Sequence, residues 1–464
     1  MASHQLDVYQ NEKGLPKEAL AIFETLEVSE EQQRDIMRIL NESMNKGLCP
    51  ETHDEAAVKM LPSYVRSLPN GTEKGTYMSL DMGGSNFRVL LAELTDKGLK
   101  VQVDRYHLPE EILSGTADMF FGYIADNIEL FMKNHCPDGT FDELPLGFTF
   151  SFPSDQHSLN SADLNLWTKG FAVKGVVGKD VVRLLQDALD KKQNIKVRTV
   201  AIINDTVAAL IAGAYYNNNC HIGLIIGTGI NAAYMEQLSN VGTWKGDHNE
   251  PRQVVINIEM GGFGDDGVIE FVRTEIDYDL DSRTVNKGNQ LVEKMISGKY
   301  LGEVARIILV KLTRLGVAFG GKLPKGLEED WIFATSFISE IVGGDTEDKQ
   351  PNSRRILQSL GADDPSPADC RLLHAICARV TQRSAMLAAS LVGGLLYRLK
   401  KPLTGIAVEG SMYKGFPAFR ERMTEKIAEL SPDYKAEFTL VEDGPGKGSA
   451  VLAAVVARMD LDNQ

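Results

Sequence analysis

Residues 79–91 read SLDMGGSNFRVLL and residues 224–235 read LIIGTGINAAYM. Each is an apolar β-type run, a glycine turn, an asparagine and a second apolar run. This pattern predicts a strand–turn–strand unit in both places. Asn86 and Asn231 are about 145 residues apart, close to the ~150 residues of a typical domain. An internal duplication would give each half one such unit. Strands that end in Gly-Gly-Ser or Gly-Thr-Gly leave backbone N–H groups uncovered, a geometry suited to phosphate. Similar turns follow the strands expected at Ile406–Val408 and Phe438–Val441, so Gly83, Gly227, Gly410 and Gly444 form a set. The GKGSA segment opens a closing apolar helix, whose N-terminal dipole favours anions. No Walker motif is present.

Between these units the chain alternates apolar β runs with helical periodicities, which argues for an α/β architecture. Ser29 to Gln32 forms a capping box ahead of Ile36, Met37, Leu40 and Met44 at helical spacing. Helices are expected over 118–133, 180–192, 206–216, 290–299, 302–315 and 371–399, and strands over 146–152 and 200–203. The first ~28 residues read as polar and loosely ordered, and 343–367 as a surface excursion. The 464 residues exceed one ordinary domain, so two lobes are expected. A net charge of −15 argues against nucleic acid or an anionic membrane as partner. The 5 cysteines include no C-x-x-C pair, so no zinc ribbon or disulfide scaffold is expected. Ala385–Tyr397, the longest apolar stretch, is shorter than the ~18 residues of a membrane span.

Asp81 stands inside an apolar strand just before a glycine turn. It reads either as a cap for that turn or as a carboxylate reaching a hydrated Mg²⁺. Asp205 ends a buried strand and opens a helix. It reads either as a helix cap or as a base taking a proton from a hydroxyl. Ser151, Thr168, Lys169, Asn204, Asn231, Glu259 and Glu293 could together read a hydroxyl-rich ligand. Phe152 and Trp167 read as core residues.

The stretches LGFTFSFP (146–153), WTKGF (167–171), IINDTVAALIA (202–212), GTGINAAYMEQ (227–237) and EKMISGKYLGE (293–303) carry a resemblance. In this order they resemble the hexokinase family, and within it the single-unit animal-type hexokinase/glucokinase group. The resemblance runs from about Gly47 to Arg458. It implies a two-lobed, actin-like ATPase fold of ribonuclease H-like cores. The expected lobes are 76–203 with a C-terminal helix 446–464 packed on it, and 1–75 with 204–445. It implies ATP-dependent phosphorylation of the 6-hydroxyl of glucose and related hexoses, with Mg²⁺ reached through water by Asp81 and Asp205.

On matching positions Asp205 is the base and Lys169 a second catalytic group. The sugar ligands would be Ser151, Phe152, Thr168, Lys169, Asn204, Asp205, Asn231, Glu259 and Glu293. The nucleotide would meet Asp81, Gly83, Gly84, Ser85, Asn86, Arg88, Thr228, Gly229, Gly298, Lys299, Thr335, Ser339, Gly410, Ser411 and Lys414. The chain departs from the family at Ser85 (usually Thr), at Ile258-Glu259-Met260-Gly261-Gly262 (usually Thr-Glu-Trp-Gly-Ala) and at Pro445 (usually Ser). The N-terminus lacks the hydrophobic start of mitochondria-associated members, so a soluble, cytoplasmic enzyme is expected, and a monomer is expected as well. The alternatives are a non-catalytic sugar sensor or an actin- or chaperone-like ATPase.

Overall fold

The computed structural model describes residues 14–84, 86–136, 143–346 and 348–462. Two sheets organise the chain. The first contains β1 (Gly75–Met82), β2 (Asn86–Thr95), β3 (Gly98–His107), β4 (Leu144–Phe150) and β5 (Val197–Ile203), in the order β3-β2-β1-β4-β5. The second contains β6 (Cys220–Ile226), β7 (Ile230–Gln237), β8 (Gln253–Asn257), β9 (Leu403–Glu409) and β10 (Lys435–Leu440), in the order β8-β7-β6-β9-β10. In each, the first three strands are antiparallel and the last two run parallel to the first. The short strand Leu61–Pro62 extends the second sheet at β8. Both halves therefore share one ribonuclease H-like topology, which is the doubled unit of the actin-like class. The glycine-turn motifs at 79–91 and 224–235 are the β1–β2 and β6–β7 hairpins.

The helices join the halves. The main ones are α1 (Glu30–Leu48), α2 (Asp205–Tyr216), α3 (Pro367–Leu399) and α4 (Gly444–Asp462). α2 leaves the first sheet after β5 yet packs on β6, β9 and β7 of the second. α4 leaves the second sheet after β10 yet packs on β1, β4 and β2 of the first. The two also pack on each other. Their contact is made of small and branched side chains, among them Val207, Ala208, Leu210, Ala450, Val451 and Ala454, all buried. Glycine makes the approach possible. A Cβ on Gly448 would stand 1.9 Å from the carbonyl oxygen of Ala208. One on Gly147 of β4 would stand 2.0 Å from that of Ser449, and one on Gly223 of β6 would stand 2.3 Å from that of Thr206.

Three local expectations are corrected. The loosely ordered N-terminus contains a helix, Lys17–Thr25, whose Ala19, Ile22 and Phe23 are buried at helical spacing. Its first 13 residues lie outside the described set. The surface excursion holds another helix, Pro351–Ser359, anchored by buried Ile356 and Leu357 and by Asp345, which accepts from Asn352 N, Ser353 N and Ser353 Oγ. The expected strands also leave out β3 and β8, although β3 alternates Leu99, Val101 and Val103 with Lys100, Gln102 and Asp104 along a partly exposed edge, and β8 holds the buried run Val254–Ile256.

The capping box at Ser29 is present. Pro445 is the second residue of α4, a first-turn position where a missing N–H breaks no helical bond. Among the described residues, no helix is long and apolar enough to cross a membrane.

The crossing yields a test. Gly448→Ala is expected to lower unfolding free energy by about 1–3 kcal/mol, the usual range for overpacking. Gly122→Ala is the control, since Gly122 lies in the helix Ala117–His135 and an added Cβ there meets nothing within 4 Å. Urea unfolding that finds the two variants equally stable would remove the packing argument.

Candidate active site

The cleft between the halves is built from strand ends and helix starts. Asp81 and Arg88 are direct cross-strand partners in the β1–β2 register. Arg88 Nε donates to Asp81 Oδ2 at 2.8 Å. Its Nη1 pairs with Asp443, which belongs to the other half and sits at φ +55°. Burial raises the pKa of Asp81, and Asp205 and Asp443 push it the same way, against Arg88. Glu409, at the end of β9, completes this corner. Burial lifts its pKa from 4.5 to about 7; Asp81 and Asp205 add to the rise and Arg88 resists it. Its Oε2 is buried with no hydrogen-bond partner. The sequence offered only a strand-end glutamate here, and nothing singled it out.

Asp205 is the first residue of α2. The cap itself is Asn204, whose Oδ1 accepts from Thr206 N at 2.9 Å and from Thr206 Oγ1 at 2.6 Å. Asp205 Oδ1 accepts from the same Thr206 N, at 2.8 Å, so the two neighbours share this donor. Burial raises the Asp205 pKa, opposed first by Lys169, then by the Thr206 N–H and the Ser151 hydroxyl. Lys169 stands at φ +57° and reaches back to donate to the Ser151 carbonyl at 2.8 Å. Desolvation draws its pKa down, while Asp205, Asp81 and Glu259 draw it up. Its ammonium also lies 5.1 Å from the centre of the Phe152 ring. Phe152 itself belongs to an aromatic cluster with Phe150, Trp167 and Phe171.

The second half contributes Asn231, Glu259 and Glu293. Asn231 Nδ2 faces Glu259 Oε1 at 3.5 Å, and Asn231 Oδ1 accepts from Ala232 N and Met260 N. Glu259 sits in the left-handed region at φ +58°, and burial raises its pKa. Glu293 accepts from Ile230 N at 3.1 Å. Ser151, Lys169, Asp205, Asn231, Glu259 and Glu293 thus come together from both halves.

Two further residues join them that the sequence did not single out. Asn257 donates to Glu259 Oε1 at 2.6 Å. Gln290 is also left-handed, at φ +59°. A Cβ on Gly261 would stand 2.2 Å from its Oε1, so the glycine makes room for this amide. Gln290 precedes a helix and reads as a plain N-terminal polar residue.

The turns at Gly227, Gly298 and Gly410 meet with bare backbone. Gly298 N donates to Gly227 O at 2.8 Å. Gly410 stands at φ +126°, where a Cβ would lie 2.2 Å from Ile226 O. Thr228, Gly229, Lys299 and Ser411 flank this junction. Thr335 accepts from Gly302 N at 2.9 Å, and Ser339 donates to Gly415 O at 2.9 Å. Lys414 pairs with Glu442 at 2.5 Å. Gly83 and Gly84 form the β1–β2 turn with Asn86 after it, while Ser85 lies outside the described residues. Thr168 is engaged through its carbonyl, which accepts from Phe171 N at 3.1 Å, rather than through its hydroxyl.

Two ribonuclease H-like halves, with carboxylates and a lysine where they face each other and bare glycine turns beside them, define a two-lobed sugar-kinase type of fold. Hexokinase family models match residues 18–215 and 221–455, and the chain belongs to the hexokinase family. It is 42% identical to human Hexokinase-2 over 444 residues, 94% of this chain and 47% of that one. It is 40% identical to rat Hexokinase-1 over 446 residues, with the same 94% and 47% coverage. The chain therefore spans about half the length of these curated relatives. A hexokinase from Schistosoma mansoni, solved in complex with glucose, superposes with a TM-score of 0.85 at 37% identity, covering 97% of this chain and 99% of that one. A further hexokinase crystal structure gives 0.83 at 30% identity, covering 95% and 99%.

Glu409 supplies a pH test. Its folded pKa lies above the 4.5 of an unburied glutamate. Between the two values the fold keeps a proton that the unfolded chain has lost. Stability therefore falls as pH rises toward 7 and levels off above it. Glu409→Gln removes that loss, so its Tm should gain on wild type between pH 5 and 8. Parallel Tm–pH curves for the two proteins would contradict the assignment.

Proposed function

We propose that the protein transfers the γ-phosphoryl group of ATP to the 6-hydroxyl of glucose and related hexoses. The observation that carries this reading is Asp205, at the start of α2 with Lys169 and Ser151 of one half and Glu259 of the other around it. The hexose lies among Ser151, Thr168, Lys169, Asn204, Asn231, Glu259 and Glu293, with Phe152 backing Lys169. The nucleotide lies along the glycine turns, with Asp81, Gly83, Gly84, Ser85, Asn86 and Arg88 on one side. On the other side are Thr228, Gly229, Gly298, Lys299, Thr335, Ser339, Gly410, Ser411 and Lys414. The lobes divide as 76–203 with the C-terminal segment 446–464, and 1–75 with 204–445.

The elevated pKa of Asp205 suits a base, because a carboxylate of ordinary acidity holds an incoming proton weakly. Asp205 accepts the hydroxyl proton as the oxygen attacks phosphorus. Lys169 balances the negative charge that collects on the transferred group. Closure of the halves aligns the reactants and excludes water, the competing acceptor.

Among the described residues, no three His, Cys, Asp or Glu side chains are grouped to hold a metal directly. Asp81 and Asp205 are hard oxygen donors that repel each other across the cleft, which fits a hydrated Mg²⁺ entering with the nucleotide. Bound there, the ion would neutralise phosphate charge. The second half of the reading, a cytoplasmic monomer, would be checked by fractionation and light scattering.

Asp205→Ala is expected to reduce turnover by orders of magnitude while glucose affinity stays within about tenfold, roughly 1.4 kcal/mol. A coupled assay for hexose 6-phosphate, with calorimetry for glucose binding, measures both. Near-normal turnover in this variant would overturn the role of Asp205.

A further inference from the structure

Asn257 ends β8 and is 6% exposed. Its amide is used at both ends. Oδ1 accepts from Asn231 Nδ2 at 2.9 Å and faces Thr206 Oγ1 at 3.3 Å. Nδ2 donates to Glu259 Oε1 at 2.6 Å. Only one orientation of the amide serves these partners, since its oxygen must meet donors and its nitrogen an acceptor. Thr206 in turn bonds Asn204, the cap of the helix that begins with Asp205. One buried side chain therefore ties two residues of the hexose set, Asn231 and Glu259, to the turn that carries the base.

Glu259 needs such a tether. It occupies the left-handed region, which is unfavourable for a side chain of its size. Burial and the nearby Asp205 both disfavour its charge, and the Asn257 amide is the leading hydrogen bond that opposes them. The other charged groups facing it are Lys169 from the first half, which favours the anion, and Glu293 from the helix Leu291–Ile296, which disfavours it.

We propose that Asn257 is a positioning residue for hexose recognition: it fixes the Asn231 amide and the Glu259 carboxylate, without itself being a catalytic residue. The inference rests on the hexokinase reading above. Its loss leaves a buried carboxylate and an amide short of a partner, so hexose affinity suffers more than nucleotide affinity, since Asn257 bonds no residue of the nucleotide set.

The test compares wild type, Asn257→Ser and Asn257→Asp, using glucose binding by calorimetry without nucleotide and steady-state KM values for glucose and ATP. Asn257→Ser should raise the glucose Kd and KM about ten- to a hundredfold, with the ATP KM within about twofold. Asn257→Asp adds a readout that a purely structural defect would not move. At low pH the introduced carboxyl holds a proton and can still donate to Glu259. As pH rises, two carboxylates face each other and repel. Glucose affinity of Asn257→Asp should therefore fall with rising pH more steeply than that of wild type. Variants that bind glucose like wild type, or that lose ATP and glucose KM together with Tm, overturn the proposal. A wild-type protein that phosphorylates no hexose overturns the functional reading instead.

Discussion

Everything in this molecule leans on the close crossing of α2 and α4. Each helix starts from one sheet and packs on the other, so neither half is complete without a helix supplied by its partner. Helices with ordinary side chains at the contact stay about 8–10 Å apart. Here Gly448 meets the Ala208 carbonyl, and Gly147 and Gly223 admit the helix backbones onto the sheets. The N-terminus of α2 is brought to the boundary between the halves by this crossing. Asp205 sits at that N-terminus, so the packing of small residues places the acid that the proposed chemistry needs.

The cleft has a different physical character from the interior of the halves. Elsewhere buried charges are paired: Arg383 makes two bonds to Asp277, and Arg306 makes two to Glu303. Around the cleft, Asp81, Asp205, Glu259, Glu293 and Glu409 all have raised pKa values, chiefly from burial. These carboxyl groups share the nearby cations Arg88, Lys169 and Lys299. Such crowding destabilises the fold locally, a pattern found where residues are arranged for function rather than for stability. The −15 charge is no obstacle to the proposed nucleotide. Backbone N–H groups at the glycine turns and a few cations act locally, whereas net charge acts over the whole surface.

Periodicity and glycine punctuation made much of this legible. The paired hairpins, the duplication and the long helix Pro367–Leu399 all follow from apolar spacing, because local burial imposes a period. Asp81 and Asp205 stood out because a carboxylate in an apolar strand end contradicts its surroundings. The illegible part is equally specific. The helices Lys17–Thr25 and Pro351–Ser359 bury only two or three apolar residues each behind polar surfaces, and the alternation in edge strand β3 is short and partly exposed. Gln290, Glu409 and the Arg88–Asp443 pair were invisible because each meets a residue far away in the chain, and Asn257 because it meets Glu259 only through the left-handed turn at that residue.

The amino-acid sequence by itself determined the family, the doubled architecture and the residue types that crowd the cleft. These depend on local pattern, and local pattern survives in a linear text. Only the tertiary structure decided which carboxylates face one another, which amide holds Glu259, and how near α4 comes to α2. Those outcomes depend on how backbone turns and segments distant in the chain are brought together by the packing of both sheets at once.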